Sequence, residues 1–313
     1  MRRRALAVCG GFLSLGMGCA DILGIDDGIP RTDAAAPDAA ADATSDVADA
    51  AKPACDLTQP FGAPVAITEL DTMAAEQHAR LSPDELDVTF QRTVVDAGWD
   101  LFHASRASAT STFAGVAPIT ELDTPYDESD LTESPDGLRA YFASDRPGGL
   151  GGYDIWQASR DAAAAPFELI APVGNVSSTS TDHDSYYVPG ALYLVSDRGT
   201  GGDDIYRASE QSGGFAAPLL VVELASPVAD GYPVVTTDEL TIYFASTRGD
   251  AGAFEVYVAT RATSAAPWST PALVPELEGF GNALPGWISP DGCRLYLSSD
   301  KSGNFDLYVA TKP

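Results

Sequence analysis

Five copies of one phrase recur along this chain at a period of about fifty residues, and self-similarity at that length marks a repeat architecture before anything else is read. The clearest copy is SPDGLRAYFASDRPGGLGGYDIWQASR, beginning at Ser134, and the last is SPDGCRLYLSSDKSGNFDLYVATK, beginning at Ser289. Between them lie GALYLVSDRGTGGDDIYRASE from Gly190 and TDELTIYFASTRGDAGAFEVYVATR from Thr237, and SPDELDVTFQRTVVDAGWDLFHASR from Ser82 precedes them all. Aligned on the strand centre, Phe90, Phe142, Leu194, Phe244 and Leu297 are equivalent, spaced by 52, 52, 50 and 53 residues.

Each copy reads as a set of short strands. S-P-D-G is a tight turn, because Pro presets φ while Asp and Gly supply a local acceptor and a permissive backbone. Alternation follows: Leu138, Ala140 and Phe142 share one face, as expected of a half-buried strand. Gly148, Gly149, Gly151 and Gly152 break the run, YDIWQASR resumes it, and a further apolar segment, Val116 to Asp123, supplies a fourth strand. No helical period appears. Four strands per unit, repeated radially, predict an all-β fold: a five-bladed β-propeller of four-stranded blades. Repeat three departs most, with YYVPG where S-P-D-G is expected, and repeat four has TTDE.

The succession S-P-D-G, apolar strand, S-D-R, glycine-rich turn, D-I-W/Y, A-S/T-R resembles the TolB-type propeller repeat, related to WD-repeat blades. The resemblance covers Phe61 to Pro313 and implies a fold rather than one activity. Proteins with such repeats include periplasmic interaction scaffolds and peptidase-associated propellers.

The last repeat stops at Pro313 without its outer strand, whereas FGAPVAITELD, Phe61 to Asp71, matches FAGVAPITELD, Phe113 to Asp123, with no inner strands before it. The N-terminal strand is therefore expected to complete the last blade, which leaves no unfinished edge at the seam.

Residues 1–18 read as an export signal, a basic MRRR followed by a short apolar run. Cys19 follows in a context resembling a lipoprotein cleavage site, although Gly16 stands where a large aliphatic residue is usual and Leu15 lies one place too early. Lipidation at Cys19 and an outer-membrane address are expected, periplasmic or cell-surface; simple cleavage without lipid is the alternative. From 19 to 54 the chain is Ala-, Asp- and Pro-rich and too poor in large apolar side chains to offset its ordering entropy, so a disordered tether is expected before a propeller over 55–313.

The formal charge of −27, from 45 acidic against 18 basic residues, excludes nucleic acid as a partner, since no basic surface exists to release phosphate counterions. The membrane is reached through a lipid anchor alone. Of four cysteines, Cys9 leaves with the signal and Cys19 is the acylation site. Cys55 and Cys293 are then placed at one end of the last blade and are expected to pair, two separate buried thiols being the alternative.

Catalytic and cofactor motifs are missing: there is no G-x-S-x-G, H-E-x-x-H or Cys/His zinc spacing, and no cofactor or metal is expected. His103 reads as structural and GGLGG as a hairpin turn rather than a phosphate cradle. Asp100, Asp154, Asp204, Glu255 and Asp306 recur at one repeat position and suit a structural role. One polar set stands apart. Just before the innermost strand, in the loops that enter the pore, lie Glu76 and His78, Glu128 and Asp130, Asp182 and Asp184, Asp230 and Tyr232, then Asn282. In a propeller these converge on the channel mouth as candidates for a small ligand or cation, the alternative being acids that only cap and solvate loops. The expected function is a non-catalytic binding or scaffold module with an envelope or surface protein partner. The rivals are a glycoside or envelope-glycan hydrolase using pore-mouth carboxylates as acid and base, and a purely structural surface lipoprotein.

Overall fold

A computed structural model describes residues 55–95, 98–199, 202–249 and 252–313. The leader, Cys19 and the tether lie outside the described residues. The rest is a five-bladed propeller. In each blade strand a is innermost and strand d outermost. Blade 1 comprises Glu76–Leu81, Asp87–Val94, Gly98–Ser105 and Ala114–Pro118. Blade 2 comprises Glu128–Glu133, Arg139–Ser144, Asp154–Ser159 and Glu168–Pro172. Blade 3 is built on Asp182–Val188, Ala191–Ser196, Asp204–Gln211 and Leu219–Leu220, with a small hairpin strand at Gly214–Phe215. Blade 4 runs Asp230–Val235, Thr241–Ser246, Glu255–Thr260 and Ala272–Leu273.

Blade 5 takes strands a to c from Ala283–Ile288, Arg294–Ser299 and Asp306–Thr311, and its outer strand from the other end of the chain. Val65 pairs with Val309 and Ala66 with Tyr308, antiparallel, so the seam closes as the repeat alignment requires. The Cys55–Cys293 disulfide ties the same blade, with Cα atoms 5.7 Å apart and 238 residues between them in sequence.

The strand-centre residues are equivalent in space as well as in sequence. Phe90, Phe142, Leu194, Phe244 and Leu297 each sit opposite an aromatic residue of strand c: Phe102, Trp156, Tyr206, Tyr257 and Tyr308. All five are buried. One expectation needs correction: strand b of blade 2 is buried on both faces from Ala140 to Ser144, not on alternate residues. Blades stack face to face, so both sides of a middle strand meet a neighbouring sheet.

Two basic motifs clamp the blades. In blades 1 to 4 an arginine at or just beyond the end of strand b, the S-D-R arginine in blades 2 and 3, pairs with the first acid of strand a in its own blade: Arg92 with Glu76 and Arg146 with Glu128, at 2.8 and 2.9 Å, and likewise Arg198 with Asp182 and Arg248 with Asp230. The same guanidinium groups cap the Leu70, Leu122, Val176 and Leu224 carbonyls. The A-S/T-R residue lies over the aromatic that leads into strand d: Arg106 over Phe113, Arg160 over Phe167, Arg261 over Trp268 and, across the seam, Lys312 over Phe61.

The departing turns resolve simply. YYVPG is a two-residue hairpin in which Val188 pairs with Ala191 and Gly190 takes φ +94°. TTDE keeps the S-P-D-G hydrogen bonding, Thr236 Oγ1 donating to Asp238 Oδ1 at 2.6 Å, with Glu239 in the left-handed position that Gly137 fills in blade 2.

Candidate active site

Strand a of every blade carries a β-bulge, seen as a register shift after its second residue in blades 1 to 4 and after its third in blade 5. In blades 1 to 4 the bulged residue is His78, Asp130, Asp184 or Tyr232, each at a φ between 49° and 60°. A left-handed conformation is costly for a side-chain-bearing residue and re-aims it, a device concentrated at functional positions. The four bulged backbones are held by a relay of side chains from the preceding blade. His78 N–H donates to Ser298 Oγ at 3.1 Å, Asp130 N–H to Gln91 Oε1 at 2.9 Å, Asp184 N–H to Asp130 Oδ2 at 2.9 Å, and Tyr232 N–H to Asp184 Oδ2 at 3.2 Å.

These four residues meet on the axis. His78 Nδ1 is ion-paired with Asp130, its Nε2 lies 3.7 Å from Asp184 Oδ1, and its ring is 5.2 Å from that of Tyr232. His183 bridges the next layer, with Nδ1 3.5 Å from Asp184 and Nε2 3.6 Å from Asp203. The result is a pocket of about 220 Å³ whose walls also carry Trp99, Tyr153 and Gln91. Beneath it Arg80 is buried, donating to the Gly286 and Ser185 carbonyls and stacking on Tyr186. Gly286 permits this closure: a Cβ there would lie 2.7 Å from the Ala79 carbonyl oxygen.

Electrostatics divides the charges into fixed roles. Burial alone would lower the pKa of His78, but the Asp130 and Asp184 carboxylates overcome it and raise it. Burial would raise that of Asp130, yet His78, with His183 further off, holds it well below the usual carboxylate range. His183 is pushed well above an ordinary histidine: burial opposes the proton, while Asp184 and Asp203 together hold it. Tyr232 is raised by burial and by the same carboxylates, and so stays a neutral hydroxyl.

Eight of the nine pore-mouth candidates lie within strand a rather than in a loop before it, Asn282 alone preceding its strand, and they separate into two rings. His78, Asp130, Asp184 and Tyr232 line the pocket. Glu76, Glu128, Asp182 and Asp230 do not, because each faces the clamp arginine of its own blade. Asn282 is a strand connector, its Oδ1 accepting Phe254 N–H at 2.9 Å and its Nδ2 donating to Asp300 Oδ2 at 2.7 Å. The fifth blade's counterpart of Asp130 is Pro285. The sequence reading missed His183, Trp99, Tyr153 and Asp203. A signal for three of them existed: Trp99, Tyr153 and Asp203 occupy one repeat position, immediately before the recurring acid of strand c.

Neither a protein-family profile nor a curated protein sequence matches the chain. Solved structures do. TolB from Acinetobacter baumannii is 16% identical with a TM-score of 0.47 over 77% of this chain, which spans 56% of TolB's length. An α-L-arabinofuranosidase from Podospora anserina, in complex with cellotriose, is 12% identical with a TM-score of 0.55, covering 82% of this chain and 98% of that one. The endo-arabinase from Bacteroides thetaiotaomicron is 14% identical with a TM-score of 0.54, again covering 82% and 98%. What the arabinofuranosidase and the endo-arabinase share with this chain is the five-bladed fold. They also correct the expectation of a non-catalytic scaffold: the two neighbours matched over nearly their full length are an arabinofuranosidase and an endo-arabinase, both glycoside hydrolases.

Proposed function

We propose that the protein is a glycoside hydrolase that cleaves a terminal sugar from a glycan in the axial pocket. The observation that carries the reading is the buried trio His78, Asp130 and Asp184, with ligating atoms within 4.8 Å of one another, at the base of a pocket walled by Trp99, Tyr153 and Tyr232. Carboxylates supply the charge that an oxocarbenium-like transition state needs, and aromatic walls suit the apolar faces of a sugar ring. A volume of about 220 Å³ favours a single ring over a chain segment, which supports action on a terminal or side-chain residue such as the arabinofuranose named for the Podospora enzyme.

The roles follow from protonation. Asp130, held ionised by His78, is suited to base or nucleophile and unsuited to acid. His183 keeps its proton and, with its side chain 22% exposed, stands where a leaving-group oxygen can be reached. Asp184 lies between the two histidines and balances both. The test is a panel of aryl glycosides led by the α-L-arabinofuranoside, with arabino- and xylo-oligosaccharides. Release of the aglycone that disappears in Asp130→Asn is expected, and a panel in which no glycoside is hydrolysed counts against the reading.

The leader and Cys19 support an enzyme exported and held at the envelope by an acyl chain. Cys19→Ala should move it from the detergent phase to the soluble fraction. Equal partition of both forms would contradict acylation.

A further inference from the structure

Away from the axial pocket, the junction of blades 1 and 2 gathers three more carboxylates. Asp100 from strand c of blade 1, Asp123 from the segment leaving strand d, and Glu128 from strand a of blade 2 bring one ligating atom each within 4.8 Å of the others. Asp100 is 6% exposed, and its Oδ1 is buried with no hydrogen-bond partner among the described residues. The two oxygens of Glu128 are used unequally: Oε1 takes Arg146 and the Ser144 and Thr124 hydroxyls, whereas Oε2 accepts a single backbone N–H, from Thr124 at 3.0 Å. Asp123 is exposed and leaves a path from solvent. A buried, unpartnered carboxylate oxygen aimed at two other acids is costly unless something cationic joins them.

The other junctions act as internal comparisons. Asp154 and Asp204 Oδ1 are likewise buried without a partner, but the residue aligned with Asp123 is Ser177, Ala225 or Glu278 at three of the junctions, so what sets this one apart is the convergence of three acids. At the fourth, between blades 5 and 1, Asp306, Asp71 and Glu76 repeat the set, but the Ser302 hydroxyl donates to Asp306. Among the described residues no other junction draws three such groups within 4.8 Å.

We propose that this junction is a divalent-cation site, with Asp100, Asp123 and Glu128 as ligands and Ca²⁺ as the ion. Size decides between ions. Oxygens bound at about 2.3–2.6 Å, as around Ca²⁺, lie up to roughly 5 Å apart across the ion, whereas Mg²⁺ at about 2.0–2.1 Å demands a tighter set. Waters entering past Asp123 complete the shell. The ion joins two blades beside the Arg146 clamp and is separate from the axial trio.

The experiment is calorimetric titration of calcium chloride into the EDTA-treated full chain, with melting curves alongside. One Ca²⁺ per chain is expected, with weaker binding of Mg²⁺ and a rise in melting temperature of roughly 5 °C at a hundredfold excess over Kd. Asp123→Asn, at an exposed position, should weaken binding at least tenfold without unfolding the protein, and Asp184→Asn should leave it unchanged. No binding heat together with an unchanged melting temperature overturns the proposal. So does Ca²⁺ binding that is lost in Asp184→Asn but retained in Asp123→Asn, which would assign the ion to the axial pocket. A third overturning result is an Asp100→Asn variant that is more stable than the wild type while Ca²⁺ has no effect, because a proton would then be the neutralising partner.

Discussion

Glu128 and Asp130 lie two residues apart on one strand, and period-two geometry would put them on one face. The bulge between them reverses that: Asp130, at φ +60°, turns into the channel, while Glu128 stays on its own blade against Arg146. The same split sets Glu76 apart from His78 and Asp182 from Asp184. This is why the sequence could collect the polar residues near the pore but could not separate site from scaffold. Two further outcomes belong to this scale. His183 is held protonated by Asp184 and Asp203, so as proton donor it is active below its folded-state pKa, and kcat/KM should fall as pH rises through a value above the ordinary 6.5. His183→Gln should abolish that alkaline limb along with most of the rate, whereas an unchanged pH profile would remove His183 from the reaction. Its stabilising contribution has the same sign, complete below about pH 6.5 and lost as pH rises through the raised value. Glu85 is the second case: buried in a left-handed turn position, it takes Arg294 and Arg106 and the Tyr296 hydroxyl, joining blades 5 and 1. Glu85→Ala leaves those partners uncompensated and should cost about 3 kcal/mol in urea unfolding; a loss well under 1 kcal/mol would make the cluster a surface ornament.

Among the elements, the seam bears the greatest mechanical consequence. Its hydrogen-bonded strand is only Val65–Ala66, too short to hold a ring closed alone. Backbone bonds flank it, Asp56, Gly62 and Ile67 N–H donating to the Pro313, Thr311 and Leu307 carbonyls, and side chains and a disulfide add to them: Phe61 packs edge-on to Tyr243 with ring centroids 5.9 Å apart and lies under Lys312, and Cys55 is bonded to Cys293. A cross-link over 238 residues removes chain entropy worth roughly 5 kcal/mol at most. Paired Cys55→Ser and Cys293→Ser changes, or Phe61→Ala at about 3 kcal/mol, should each lower the melting temperature, and an unchanged value in the double serine variant would deny the bond a stabilising role. The seam was legible in sequence because Phe61 matches Phe113 motif for motif. The burial of the middle strands was not, since alternation in one strand says nothing of a second sheet lying on its other face.

Over the whole molecule, five near-equal blades carry unequal inner residues: His78, Asp130, Asp184, Tyr232 and Pro285. Repetition made the fold readable from turns and arginine motifs, and the departure from repetition is what makes a pocket. The scaffold ring repeats in blades 1 to 4, each with its acid–arginine clamp, whereas the inner ring changes from blade to blade, as the proposed site requires. That division is tested most directly by measuring glycoside hydrolysis and thermal stability side by side for Asp130→Asn and Glu128→Gln. The account predicts that Asp130→Asn stays folded and loses at least about a hundredfold in kcat/KM, while Glu128→Gln loses about 3 kcal/mol of stability and, at temperatures where it is folded, hydrolyses at close to the wild-type rate. The reverse pattern, or equal activity in both variants and the wild type, would contradict it.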